Sequence, residues 1–333
     1  VSSGPYAAIT GWGMAVPQRV VTNEELSRRV DTSDEWIRAR TGIAERRVAG
    51  PGEHTSTLSA AAGRAALARA GLQPDDVDMV VVATCTPDRT FPATACAVQA
   101  QLQIPRAAAF DLVAACSGFV YGLGVASGMI RSGMSRTLLL VAADIFTHLI
   151  DWDDRNTCVL FGDGAGAVVL QASQQPVGVL ASNLGAAGEH EDLMAVDAGG
   201  TRQPITAELL AAGKQYVSMN GREIFKHAVR EMCASAEQAV ADAGLTLDDI
   251  ALVVPHQANV RIIEAVAKRL ELPLERFAIN LDRYGNTSAA SVPLALVEAV
   301  DQGRVKDDDY VLLTAFGGGL TWGSCVVRWG AQR

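Results

Sequence analysis

Ala70-Gly-Leu-Gln-Pro-Asp-Asp-Val-Asp-Met-Val-Val and Ala243-Gly-Leu-Thr-Leu-Asp-Asp-Ile-Ala-Leu-Val-Val repeat one pattern at an offset of 173. Each reads as a helix end, an acidic turn and a strand. Gly suits the left-handed position just past a last helical turn. The apolar runs that follow lack two-residue alternation, as strands buried on both faces do. A second pair follows in the same order: Phe161-Gly-Asp-Gly-Ala-Gly and Phe316-Gly-Gly-Gly-Leu-Thr, with Gly323 answering Gly166 at an offset of 157. Together they imply a duplicated α/β unit dividing near residue 175, into halves 1–175 and 176–333. The plain alternative is chance, because Ala-Gly-Leu before paired aspartates is a common helix-to-strand join. The period is far too long for a solenoid. Two fused copies would bring their corresponding loops around one cleft.

Working outward, strands are expected at 79–83, 137–142, 251–254 and 310–314, and helices at 56–70 and 221–243. Thr22 with Glu25 and Thr32 with Glu35 read as capping boxes. The 333 residues are 49% hydrophobic and 20% charged, enough apolar material for a substantial core. A net charge of −9 opposes general nucleic-acid binding, which needs phosphate-neutralising cations. No run of about 18 apolar residues offers a membrane span. The opening VSSGPYAAITGWG lacks a basic stretch followed by an apolar run, so no signal peptide is expected. The six cysteines are scattered without a C-x-x-C, which disfavours a metal knuckle or a dense disulfide framework. The expected class is a cytoplasmic α/β enzyme.

Cys116 falls between a strand-like run, 107–113, and a Gly- and Ala-rich helical run, 117–131. Unpaired N–H groups and the dipole at a helix N-terminus favour thiolate over thiol. A small buried core residue is the bland alternative, since most free cysteines are that. The other five cysteines are assigned to strands or helices. His256 follows the run 252–254 and precedes a helix starting near Asn259, at the strand end where parallel sheets place their sites. The repeat aligns it with Ala83. A solvated loop histidine is its alternative, and His54, His148, His190 and His227 lie in polar or helical contexts.

Asn286 follows Gly285 in a turn-like pair. Asn286-Thr-Ser also fits a glycosylation sequon, which would require secretion. The runs 162–166 and 122–124 imitate pieces of a dinucleotide fingerprint. One is placed before a strand and the other inside a helix, so neither supports NAD binding. The order Cys116, His256, Asn286 mimics a papain-like protease, but that family's signature is absent.

Ala-Cys116-Ser-Gly-Phe, His256-Gln-Ala-Asn-x-Arg261, Gly285-Asn286-Thr-Ser-Ala-Ala-Ser and Phe316-Gly-Gly-Gly together resemble the β-ketoacyl-acyl carrier protein (ACP) synthase III family. The resemblance spans almost the whole chain. It implies a thiolase-like α/β fold, with duplicated βα units in a five-layer αβαβα sandwich, in a homodimer. It implies decarboxylative condensation of an acyl-CoA primer, with acetyl-CoA expected, and malonyl-ACP to give 3-oxoacyl-ACP.

By the same resemblance Cys116 accepts the acyl group, and His256 and Asn286 donate hydrogen bonds to the malonyl thioester oxygen. The backbone N–H groups of Cys116 and Gly318 form the oxyanion hole. Thr32, Trp36, Arg40, Arg155 and Asn259 contact CoA. Phe316 and Phe91 border the acyl pocket, Phe91 from the partner subunit. Lys226, Arg261, Lys268 and Arg269 dock the acidic carrier protein, the last three sharing one helix face. For Trp36 and the cationic face, a core residue and a solvated surface are the alternatives. No metal, redox cofactor, nucleic acid or membrane partner is implied.

The segment 188–214 matches loosely, which leaves the primer open. A polyketide or quinolone starter synthase and a head-to-head condensing enzyme are the near alternatives. A catalytic Glu of the HMG-CoA-synthase kind has no match. A cysteine hydrolase is the remote alternative.

Overall fold

The computed structural model describes residues 5–330. Val1–Gly4, which open the N-terminal stretch read above, lie outside them. Nine strands form the main sheet among the described residues. They are β1 (Tyr6–Ala15), β2 (Met79–Ala83), β3 (Ala108–Leu112), β4 (Thr137–Ile145), β5 (Asp163–Ser173), β6 (Gly178–Ala186), β7 (Ile250–Pro255), β8 (Tyr310–Gly317) and β9 (Thr321–Arg328). Their spatial order is β7-β8-β9-β6-β1-β5-β4-β2-β3.

Read from the centre, one side runs β1-β5-β4-β2-β3 and the other β6-β9-β8-β7, so one topology occurs twice. β2 is parallel to β3 and β4, and β7 is parallel to β8. The two sides meet through a single register pair, Ala7 opposite Val179. The counterpart of β3 shrinks to one parallel bridge between Val253 and Phe277, with the Ala278 N–H donating to the Val253 carbonyl at 2.9 Å.

Side-chain alternation then builds the layers. On β4, Leu139, Val141 and Ala143 pack with α2 (Thr55–Ala70) and α3 (Thr94–Gln101) in one cluster. Leu138, Leu140 and Ala142 face the other way, onto α4 (Gly118–Arg131) and α7 (Ser291–Asp301). Those two helices also meet Val311, Leu313 and Ala315 of β8. The opposite face of β8, through Leu312 and Phe316, packs with α5 (Gly221–Asp242) and α6 (Val260–Arg269). The result is the thiolase-like order helix, sheet, helix, sheet, helix. Each buried Leu or Val adds about 1.5–3 kcal/mol. The middle layer is thin because its residues are small: a Cβ on Gly122 would stand 2.6 Å from Leu140 Cδ1.

Several local expectations shift. α1 (Asp34–Thr41) is capped by Ser33, not Thr32: Ser33 has the extended backbone, and its hydroxyl accepts from the Trp36 N–H at 3.1 Å. Thr22 does cap its short helix, but Glu25 pairs with Arg19 at 2.8 Å instead of closing the box. The glycine run 162–166 enters β5 at Asp163, so all of it but Gly162 lies within the strand rather than ahead of it. Cys85 sits in the loop after β2 and Cys158 in a turn, so two of the five remaining cysteines lie outside helices and strands. Asn286 is buried, which rules out its use as a glycosylation acceptor in the folded chain.

Candidate active site

Three separate chain segments converge on one cleft of about 490 Å³. Cys116 lies in the 3₁₀ turn Ala115–Ser117 between β3 and α4. Ala115 holds φ +46°, a conformation that a residue with a Cβ adopts only when its surroundings impose it. His256 follows directly on β7, and its N–H donates to the Thr314 carbonyl at 2.8 Å. Asn286 precedes the 3₁₀ turn Ser288–Ala290 that leads into α7. Its backbone is pinned on both sides, with N–H to the Leu160 carbonyl at 2.8 Å and its own carbonyl accepting from Gly162 at 3.0 Å. All three side chains line the cleft, with Phe316, Gly317 and Gly318 beside them.

The site is held from behind by groups the sequence did not single out. Asn286 Oδ1 accepts the Ser288 N–H at 2.9 Å, which leaves its NH₂ for the cleft. The Cys116 thiol donates to Ser288 Oγ at 3.5 Å. Ser291 Oγ lies 2.6 Å from His256 Nδ1. Asp144, fully buried, accepts from Thr84 Oγ1 at 3.0 Å, the Cys85 N–H at 2.9 Å and Thr86 Oγ1 at 2.9 Å. Gly317 is required by space, since a Cβ there would come within 2.6 Å of the Cys116 nitrogen.

Electrostatics follow burial. Burial pushes the Cys116 thiol up to about 12; the Ser288 hydrogen bond opposes this and the Asp144 charge adds to it. Burial at this central-layer helix start thus opposes the expected preference for thiolate. Burial takes His256 down to about 3, so its imidazole is neutral at ordinary pH.

The cleft mouth is basic despite the acidic chain, with Arg40, Arg155, Arg222 and Arg261 along it. The Trp36 ring is flanked by two guanidiniums, Arg40 at 4.8 Å and Arg155 at 4.9 Å from its centroid. Arg155 is tied to the Asp31 carbonyl at 2.7 Å. Asn259 lines the cleft and caps α6 through the Arg261 N–H at 2.9 Å. Arg222, Met194 and Met219 also line it and were missed, because nothing in their local sequence marks a cleft wall.

Other expected site residues stand apart. Thr32 is half-buried with an unpartnered hydroxyl and does not line the cleft. Phe91 is 83% exposed. Lys226 is exposed and paired with Glu223 at 2.8 Å. Lys268 and Arg269 end α6, about 10 Å along its axis from Arg261. Among the described residues no group of three or more His, Cys, Asp or Glu is placed to hold a metal ion. Among the described residues no helix is long and apolar enough to cross a membrane.

Comparisons with known proteins agree with this geometry. Residues 110–188 match the family described as 3-oxoacyl-[acyl-carrier-protein (ACP)] synthase III, and residues 240–329 match its C-terminal part. A relative from Roseiflexus sp. (strain RS-1), named β-ketoacyl-[acyl-carrier-protein] synthase III, is 73% identical over 98% of this chain and 99% of its own. The crystal structure of 3-oxoacyl-[acyl-carrier-protein] synthase III from Aquifex aeolicus VF5 superposes with a TM-score of 0.90 at 46% identity, covering 97% of this chain and 100% of that one. The priming β-ketosynthase from the R1128 polyketide pathway gives a TM-score of 0.92 at 35% identity, covering 100% and 99%.

Proposed function

The chain belongs to the 3-oxoacyl-[acyl-carrier-protein] synthase III family, and on that premise we propose that it joins an acyl-CoA primer, acetyl-CoA first, to malonyl-ACP through Cys116. It is an acyltransferase that condenses an acyl-CoA with malonyl-ACP at the start of fatty-acid synthesis. The observation that carries the residue assignment is the convergence of Cys116, His256 and Asn286 in one cleft behind a basic mouth.

In the first step the Cys116 sulfur attacks the primer thioester carbonyl. The thiol proton ends on the departing CoA sulfur, so no base is left charged. Backbone N–H groups of Cys116 and Gly318 receive the tetrahedral oxyanion, a type of donor worth about 3–4 kcal/mol. Malonyl-ACP then loses CO₂, and the electron pair of the broken C–C bond passes into the thioester enolate. His256 Nε2–H and the Asn286 NH₂ donate to that oxygen. A neutral imidazole suits this role, since it donates a hydrogen bond without giving up a proton. The enolate carbon attacks the acyl-Cys116 carbonyl, and collapse expels the sulfur as thiolate, which takes up one proton from solvent to return to the thiol that burial favours. No electrons leave the organic partners, so the reading requires neither metal nor redox cofactor.

Around this centre, Trp36, Arg40, Arg155, Asn259 and Thr32 are assigned to CoA, and Phe316 to the acyl pocket. The carrier protein is assigned to Arg261, Lys226, Lys268 and Arg269, now with Arg222. The chain is read as two thiolase-like halves, 1–175 and 176–333, supported by the repeated strand order. A cytoplasmic homodimer is part of this reading. The dimer is supported by the outer edge of β3, which carries no partner strand among the described residues, by Val113 just beyond it at 75% exposed, and by Phe91 at 83% exposed. A polyketide-starter role would use the same chemistry with another primer, and the likeness to the R1128 enzyme keeps it in view.

Intact mass after incubation with a panel of acyl-CoAs, followed by malonyl-ACP, tests the proposal. One acyl group on Cys116, discharged as 3-oxoacyl-ACP with CO₂, is expected. Best loading by acetyl-CoA supports primary fatty-acid initiation, and another best primer supports a starter role. Free acid without a new C–C bond overturns the condensation.

A further inference from the structure

His256 can serve as a donor to the enolate only if its single proton sits on Nε2. Burial alone does not decide between the two neutral forms. The structure contains a group that does. Ser291, the first residue of α7, is 1% exposed, and its Oγ has two contacts among the described residues. One is the Gln257 N–H at 3.3 Å, which can only donate. The other is His256 Nδ1 at 2.6 Å. The Gln257 amide occupies a lone pair of Oγ, and the hydroxyl hydrogen then has Nδ1 as its one acceptor. Were Nδ1 protonated, two N–H groups would point at one oxygen, and the hydroxyl hydrogen would be buried without a partner. That arrangement is disfavoured by roughly tenfold or more.

We propose that Ser291 is a positioning residue that fixes His256 in the Nε2–H form by donating its hydroxyl hydrogen to Nδ1. The inference rests on the condensation reading above for its consequence, and on geometry alone for the tautomer. The backbone already fixes the other end of the ring's position, because the His256 N–H is held by Thr314. Among the described residues the ring's hydrogen bond is made through Nδ1, and His256 lines the cleft. Ser291 touches no substrate; it acts through the imidazole. The segment 288–291, the turn before α7 and the first residue of that helix, therefore aligns three side chains: Ser288 holds Asn286 and Cys116, and Ser291 holds His256.

The test is nitrogen NMR of the full chain labelled with ¹⁵N-histidine, with His256 assigned by loss of its signals in His256→Gln. In the wild type the proton is expected on Nε2, with the Nδ1 resonance displaced as for a hydrogen-bond acceptor. In Ser291→Ala that displacement is expected to vanish. Malonyl-ACP decarboxylation should fall by up to about 100-fold, the range of one lost oxyanion donor, with Cys116 acylation retained. Ser291→Thr, which keeps the hydroxyl, should restore both readouts. A wild-type proton on Nδ1 overturns the proposal, and so does a Ser291→Ala enzyme with the Nδ1 signal and decarboxylation unchanged. The wild-type spectrum decides the matter even if Ser291→Ala does not fold. An Nε2–H imidazole in a chain that forms no C–C bond would sink the condensation reading and leave the tautomer assignment standing.

Discussion

Asp144 Oδ2 accepts the Ala289 N–H at 3.1 Å, while Oδ1 gathers the loop after β2. One buried carboxylate thus joins the end of β4 in the first half to the turn that carries the site in the second. Asp144→Ala would strand several buried donors at once. A loss of about 3–5 kcal/mol is expected, together with loss of condensation as the 288–291 turn drifts. A thermal melt that matches the wild type would refute this.

Cys116 offers a chemical test of its surroundings. With its thiol raised to about 12, the thiolate fraction should climb about tenfold per pH unit across pH 7–10. Iodoacetamide labelling of Cys116, followed by peptide mass, should show that slope with no plateau. A plateau near neutral pH would mean that the helix end outweighs burial after all.

At the cleft mouth, Arg155 lies on the Trp36 ring that an adenine would occupy. An entering base must lift this guanidinium, which can then stack on the base's other face. Arg155→Ala should raise KM for acyl-CoA about fivefold with kcat unchanged, the worth of one cation–π contact. An unaltered KM would reduce the stack to internal packing.

His256 also links stability to acid. Its folded value of about 3 lies below its ordinary 6.5, so between those limits the unfolded chain binds a proton that the folded chain refuses. The stability this group contributes is fully present above pH 6.5 and is lost progressively as pH falls toward 3. Urea unfolding at pH 7.5 and pH 5 should show a smaller acid loss in His256→Gln than in the wild type. Equal losses would contradict the buried neutral imidazole.

Much of this was legible in the sequence. The run Met79–Ala83 is a strand with the expected bounds, and Cys116 and His256 stand at strand ends as their flanking patterns implied. Asn286 needed the family resemblance, because Gly-Asn alone reads as a turn. Ser288 and Ser291 stayed hidden because Ser-Ala-Ala-Ser looks like any small-residue helix start. Asp144 lies next to the end of an apolar strand and gives no hint of the five N–H and O–H groups that donate to it. The burial that opposes a Cys116 thiolate was hidden for a related reason. Local sequence shows that a helix begins near Cys116, but not that the helix lies in the middle of five layers.

The lone bridge between Val253 and Phe277 reaches beyond the fold itself. It plugs the outer side of β7, where the Arg276 guanidinium also caps the Ile250 carbonyl at 3.4 Å. Among the described residues of the main sheet, β3 is then the one edge strand with an open outer side. A molecule with two sticky rims can polymerise without end, whereas one with a single rim is finished as soon as it meets its own copy. If the chain pairs as proposed, through β3, the blocked rim at β7 would leave a dimer of the main sheet with no free edge from which to grow.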